Sequence, residues 1–383
     1  MVVARSLMRV TLPGSSTVVG CAAMDRLPPE TFRLPVEKLR TGYYSDAYFT
    51  STKTLLEDEG RHPDVVLQVF QKHDALLGGI DEALAILELC AGSESGAGWE
   101  PGWGTLEVHA LFEGDEIAPR EPVLQVVGDY GLFCHLETVL LGPLARRTLV
   151  MRNVREVVEA ARGKAILYFP ARHDHWLVQT GDGWAAHVAG AIGVSTDAQA
   201  SWWGGRGIGT VPHGLIGAYG GDTVAAARAF AARFGADMNV TVLVDWENDS
   251  VRTALAVADA LGHDLWGVRL DTSEALVDRA LELVEAGEGE RLTGVNARLV
   301  HAVRDALDAA GHERIRIVVS DGFDAERIRA FEAAAVPVDA YGVGSSLIRG
   351  QNDYTADVVR VDGRPCAKVG RGERPADRLV RVR

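Results

Sequence analysis

VTVLVDWENDSVRTALAVADALGHDLWGVRLDT, residues 240–272, holds the reading on which the fold turns. Its first and last segments are apolar runs with no polar–apolar alternation. Between them lies an alanine- and leucine-rich stretch with helical spacing. A strand that is apolar on both faces belongs in a sheet covered on both sides, and a helix between two such strands makes the pair parallel. The pattern continues downstream: LWGVRLDT is followed by ALVDRALELVEAG, read as a helix, then RIRIVVSDG, AERIRAFEAAA and VDAYGVGSSL. Upstream, a long helical stretch beginning ETVLLGPLARR runs into the strand AILYF. So many strand–helix units point to an irregular α/β barrel of parallel strands in preference to an open sheet.

The N-terminal part reads differently. LLEDEGRHPDVVLQVFQK is a helix end, a turn at His62-Pro63 and a strand, and IDEALAILELC is a short amphipathic helix. Residues 105–131 supply short strands broken at Glu113-Gly114 and Pro119, while GWEPGWG (98–104) reads as a loop. The expected organisation is an N-terminal α+β domain over 24–131, a barrel over 132–348 and a C-terminal segment, 349–383, returning to the first domain.

Composition narrows the function. The chain has 383 residues, 47% apolar and 24% charged, enough to bury a large core. A net charge of −14 argues against a nucleic-acid backbone as partner. The four cysteines (Cys21, Cys90, Cys134, Cys366) form no CxxC pair, so neither a zinc knuckle nor a disulfide framework is expected. There is no apolar run of about 18 residues to span a membrane. VVGC (18–21) looks like a lipoprotein cleavage box, but the stretch before it is too polar for a signal core. Residues 1–23 read as a disordered tail or an over-long reading frame ahead of Met24, and a cytoplasmic location is expected.

In a parallel barrel the carboxyl ends of the strands meet around one mouth. Those ends carry Arg172, His173 and His175 after AILYF, and His213 after GIGTVP. Asp245 and Asp249 follow VTVLV, and Arg269, Asp271 and Thr272 close LWGVRLDT. Ser320, Asp321 and Gly322 follow RIRIVV, and Gly342, Gly344, Ser345 and Ser346 come last. Cations, acids, glycines and hydroxyls around one rim suit a phosphorylated sugar. Gly344 to Ser346 could cradle a phosphate with backbone N–H groups, although such a sequence is also a common tight turn. Asp271 could accept ribose hydroxyls, and Asp245 with Asp249 could hold Mg²⁺ through water, although a strand-end aspartate is often a helix cap.

In order along the chain, GYYSDAYFTST, FEG, ETVLLG, FPARHDH, GTVPHGL, VDWEND, VRLDTS, VSDGFD and YGVGSSL resemble the motifs of the nicotinate phosphoribosyltransferases, especially their short archaeal-like branch. The resemblance runs from about Gly42 to Gly370. It implies a type II phosphoribosyltransferase fold and transfer of phosphoribose from phosphoribosyl pyrophosphate to a pyridine carboxylate. Mg²⁺ and ATP are implied as well, with His213 as a phosphorylated histidine. Asp46 and Tyr48 match residues that enter a neighbouring subunit's site, which implies a homodimer and leaves a higher oligomer open. Arg172, Arg269, Asp271, Gly344, Ser345 and Lys368 match substrate contacts.

The chain also departs from the family. Pro170 stands for a glycine and His173 for a second arginine, and Ile192, in AGAIGVST, takes the place of an aspartate facing the pyridine. The zinc-binding tail of the archaeal relatives is missing, so no zinc is expected. These departures keep two alternatives open: an enzyme of the same fold using another aromatic base, and a non-catalytic ligand-binding paralogue. Quinolinate, a diacid, calls for a denser cationic pocket.

Overall fold

The computed structural model describes residues 25–287 and 289–383. The N-terminal tail, with Cys21 and the start proposed at Met24, lies outside them. The described chain divides into two units. One comprises Asn153–Gly183 and Gly190–Arg349; the other comprises residues 25–152, Trp184–Ala189 and Gly350–Arg383. The chain crosses from one to the other inside the helix Glu137–Ala160.

In the first unit six parallel strands stand in the order Val240–Leu243, Leu265–Leu270, Arg316–Val319, Ala340–Val343, Ala165–Tyr168 and Gly193–Val194. Their parallel register matches the unbroken apolar runs that specify them. The sheet curls until residues 208–211 complete it. Ile208 N donates to Val194 O at 2.7 Å on one side, and Val211 N donates to Thr241 O at 2.8 Å on the other. Val211 bridges Val242 in parallel, so the last position of the ring is a short irregular segment. An irregular α/β barrel results, as the sequence predicts. Thr223–Phe234, Ser250–Leu261 and Ala325–Ala333 form helices where the alanine-rich patterns lie.

ALVDRALELVEAG is not a helix. Val277 pairs antiparallel with Thr293, and only Arg279–Leu281 makes a 3₁₀ turn. Tertiary hydrogen bonds outweigh its helical spacing. Asn248 Nδ2 donates to Val277 O, and Arg279 N donates to Asn248 O. The Asp278 carboxylate, fully buried, accepts from Ser250 N and Oγ at the start of the next-door helix. GWEPGWG is also more ordered than a loop, since Gly98–Pro101 pairs antiparallel with Gly92–Ser95.

The second unit is built on an antiparallel sheet in the order Arg364–Pro365, Thr355–Val361, Asp64–Phe70, Pro122–Asp129, Glu107–Ala110 and Val380–Arg381. The helix Ile80–Cys90 shares one apolar cluster with it, through Leu84, Leu87, Val69, Val108 and Leu124. Glu113, from the FEG motif, accepts the otherwise unpaired N–H groups of Gly79 and Asp81 at that helix's start. The helix Ala47–Asp58 contributes no buried residue. Cys90 and Cys134 are buried free thiols and Cys366 is exposed. Among the described residues no helix is long and apolar enough to cross a membrane.

Asp278→Ala should cost about 3 kcal/mol of barrel stability, because it strands buried donors at Ser250. Urea unfolding would measure this; a loss under about 1 kcal/mol would show that the capping contact is dispensable.

Candidate functional site

The segment that closes the barrel also furnishes one wall of a polar cleft at the strands' carboxyl ends. Gly209, Thr210, Pro212 and His213 line it, together with residues from the carboxyl ends of the six parallel strands. Arg269 is among the lining residues. Its Nε donates to Ser320 Oγ at 2.6 Å, Nη1 to Thr210 Oγ1 at 3.3 Å and Nη2 to Asp271 Oδ1 at 3.2 Å. Ser320 Oγ in turn donates to the same Asp271 oxygen. A guanidinium held by three partners is fixed before any ligand arrives. Both bonds to Asp271 fall on Oδ1, which leaves Oδ2 for ligand hydroxyls. The Arg269 guanidinium also lies 5.3 Å from the Phe169 ring centre. That ring needs Gly342, where any Cβ would come within 2.7 Å of Phe169 Cε2.

His213 begins the helix His213–Ala218 directly after Pro212. Its Nε2 is 2.9 Å from Asp245 Oδ1, and Asp245 is largely buried. The hydrogen bond to Asp245 raises the imidazole pKa above its ordinary value, against partial burial, which lowers it. With Nε2–H donating to the carboxylate, Nδ1 is the nitrogen left with a lone pair.

His173 packs over the Gly344 backbone, with Cε1 3.1 Å from where a Cβ on Gly344 would sit. Burial first, and then the nearby Arg172 and Arg349, hold its imidazole below the usual histidine pKa. At neutral pH it is therefore a poor substitute for an arginine. Asp321 takes a left-handed conformation, φ 71°, followed by Gly322 at φ 66°. Burial, followed by the Asp271 and Glu274 charges, raises the Asp321 carboxyl's pKa.

The cleft thus brings together Arg172, His173, His213, Arg269, Asp271, Ser320, Asp321, Gly322, Gly342, Gly344 and Ser345, with Asp245 behind His213. Other candidates are placed elsewhere. Asp249 caps the helix Ser250–Leu261, accepting from Arg252 N and pairing with Arg252 Nε at 3.0 Å. His175 Nδ1 accepts from Leu177 N, capping a turn outside the cleft lining. Thr272 is buried with an unpaired hydroxyl, and Ser346 Oγ donates to Phe323 O. Asp46, Tyr48 and Lys368 belong to the second unit. There Asp46 and Thr138 exchange hydrogen bonds, Tyr48 Oη donates to Asp46 Oδ2, and the Tyr48 ring is 62% exposed.

Ile192 does not face the polar cleft. It lines an apolar slot inside the barrel with Ala165, Leu167, Trp266, Val318 and Ala340. From the same AGAIGVST segment it is Ser195 that reaches the cleft. Ser195 donates its hydroxyl to Gln199 Oε1 at 3.1 Å, and Gln199 is itself buried. Ser195 therefore lines the cleft, while Ile192, on the other side of the short strand Gly193–Val194, lines the slot and is still 41% exposed. Thr210 and Phe169 line the cleft as well; both lie inside the motifs GTVPHGL and FPARHDH, though neither is among the candidate site residues of the sequence.

Comparison with known proteins identifies the family and the fold. Residues 46–148 match the model of the quinolinate phosphoribosyl transferase N-terminal domain. A nicotinate phosphoribosyltransferase of Mycobacterium tuberculosis is 32% identical over 271 residues, covering 68% of this chain and 55% of that protein. A second from the same organism is 30% identical over 283 residues, covering 70% and 55%. The chain therefore spans about half the length of these curated relatives. Human nicotinic acid phosphoribosyltransferase shares the fold, with TM-score 0.65 at 19% identity, over 86% of this chain and 77% of that one. The nicotinate-nucleotide pyrophosphorylase of Pyrococcus furiosus superposes with TM-score 0.74 at 31% identity, over 89% of this chain and 82% of that one. With the barrel and its cleft, that likeness shows that the chain belongs to the nicotinate phosphoribosyltransferase family, on the type II phosphoribosyltransferase fold.

Proposed function

We propose that the protein transfers phosphoribose from phosphoribosyl pyrophosphate to nicotinate, giving nicotinate mononucleotide and pyrophosphate for pyridine nucleotide salvage. The observation that carries this reading is the His213–Asp245 pair at the edge of a cleft that also holds Arg269, Asp271 and the Gly344–Ser345 turn. The relatives' names support nicotinate as the base. Quinolinate is the competing base, since the N-terminal family model bears its name. The cleft argues against it. Arg269 already has three protein partners and His173 is held toward neutrality, so few free cations remain for a second carboxylate.

In the transfer, the pyridine nitrogen attacks C1′ as the bond from C1′ to the pyrophosphate oxygen breaks, and pyrophosphate leaves with the electron pair. The transition state resembles an oxocarbenium ion, so positioning and anion binding matter more than a protein base. Asp271 Oδ2 would hold the ribose hydroxyls.

ATP coupling would run through His213. Its Nδ1 takes the terminal phosphoryl group as the bond to the ADP oxygen breaks, while Asp245 stabilises the resulting charge through Nε2–H. Mg²⁺, when bound with the phosphates, would offset their charge. Among the described residues no group of three or more histidine, cysteine or acidic side chains is placed to cage a metal. Asp245, reaching it through water, is the protein contact that fits, since magnesium prefers phosphate oxygens and water. Asp249, engaged by Arg252, fits this role less well. Asp46 and the exposed Tyr48 would complete the cleft of a second copy in a homodimer, the ring stacking on the pyridine.

The decisive assay supplies nicotinate or quinolinate with Mg²⁺ and phosphoribosyl pyrophosphate, with and without ATP, and detects products by mass. Nicotinate mononucleotide from nicotinate, stimulated by ATP, is expected; product from quinolinate alone would replace the reading. His213→Ala should abolish ATP stimulation yet retain some ATP-independent transfer.

The imidazole itself provides a further check. The NMR titration midpoint of His213 should lie above the ordinary histidine value and fall in Asp245→Asn, where burial remains but the stabilising partner is weakened. Because the native pKa is raised, this contact favours the fold below the unfolded-state pKa. That contribution disappears as pH rises through the native value. An unchanged midpoint in Asp245→Asn would contradict the pairing.

A further inference from the structure

The turn after the strand Ala340–Val343 is held from behind and open in front. Asn153 Nδ2 donates to Leu347 O at 3.2 Å and to Arg349 O at 2.8 Å, and Ser346 Oγ is occupied by Phe323 O. Leu347 is buried. What remains on the cleft side is Gly344, beneath the His173 ring, and Ser345. Arg349 Nη2 donates to Ser345 Oγ at 3.0 Å, so an exposed guanidinium is tied to the very residue that faces the cleft. Among the described residues no carboxylate is its hydrogen-bonding partner. The nearby acids have other partners: Asp245 pairs with His213, Asp271 with Arg269, and the charge that favours the Asp321 carboxylate is Arg327.

We propose that Arg349 is a binding residue for the terminal phosphate monoester of the sugar substrate, supplying the fixed cation that the chain lacks at His173. The proposal rests on the phosphoribosyltransferase reading and names a residue that reading did not include. His173 packs against the glycine backbone and shapes the pocket's side, Ser345 adds a hydroxyl, and Arg349 adds charge with two-pronged donor geometry. The cleft is then polarised. A phosphorylated sugar enters with its monoester toward Arg349 and its hydroxyls toward Asp271.

Binding of ribose 5-phosphate and of inorganic phosphate to the full chain, measured by calorimetry without base or ATP, tests this apart from turnover. Arg349→Ala should weaken ribose 5-phosphate binding about tenfold or more, the usual size of a lost charge-assisted hydrogen bond. In turnover it should raise KM for phosphoribosyl pyrophosphate much more than it lowers kcat. The double variant His173→Arg with Arg349→Ala should regain most of the lost affinity, because a cation returns to the same turn. Unaltered affinity in Arg349→Ala, with an unchanged thermal midpoint, overturns the proposal. So does failure of the arginine at 173 to rescue. Arg349-dependent binding without any nucleotide product would uphold the phosphate site and refute the transferase reading.

Discussion

Closure of the barrel by residues 208–211 is the constraint from which the site follows. Two backbone hydrogen bonds, from Ile208 to Val194 and from Val211 to Thr241, fasten this segment between strands that are far apart in sequence. The same few residues carry Thr210 to Arg269 and, immediately afterwards, His213 to Asp245. A regular strand at this position would alternate its side chains in and out of the barrel. The irregular segment instead ends at Pro212, which permits a helix to begin at His213 with the imidazole directed at the neighbouring strand's end.

Much of the barrel is legible in the sequence, because parallel strands covered on both faces must be apolar throughout. VTVLV and AILYF announce themselves in this way, LWGVRL and RIRIVV less cleanly because they include Arg269, Arg314 and Arg316, and the carboxyl ends of these strands name most of the cleft. What is hidden depends on long-range partners. ALVDRALELVEAG has helical spacing, yet a buried aspartate and a neighbouring asparagine side chain take its backbone elsewhere. Asp249 is a local case: it caps its own helix and pairs with Arg252 three residues on, which the sequence allows without requiring. Ile192 and Ser195 flank the two-residue strand Gly193–Val194, and which of them lines the cleft depends on how that strand pairs in the sheet.

The chemistry of the cleft is divided among residues of different rigidity. Arg269, Ser320 and Asp271 form a closed set whose members fix one another, which suits a role in positioning. Among the described residues His213 has a single hydrogen-bonding partner, which leaves its other ring nitrogen to the cleft and suits a group that changes its covalent state. Phe169 and Gly342 act only through shape: the ring occupies the space that a side chain at 342 would need, and in doing so backs the guanidinium.

The apolar slot under the cleft affects how that guanidinium responds to its surroundings. Ala165, Leu167, Val318 and Ala340 put hydrocarbon beneath Arg269 where a more open barrel would admit water. Low permittivity on that side strengthens its attraction to Asp271 and keeps mobile ions away from it. Exposed Arg349 has no such shelter. Rising ionic strength should therefore erode the outer, charge-gathering end of the cleft well before it disturbs the inner, orienting one.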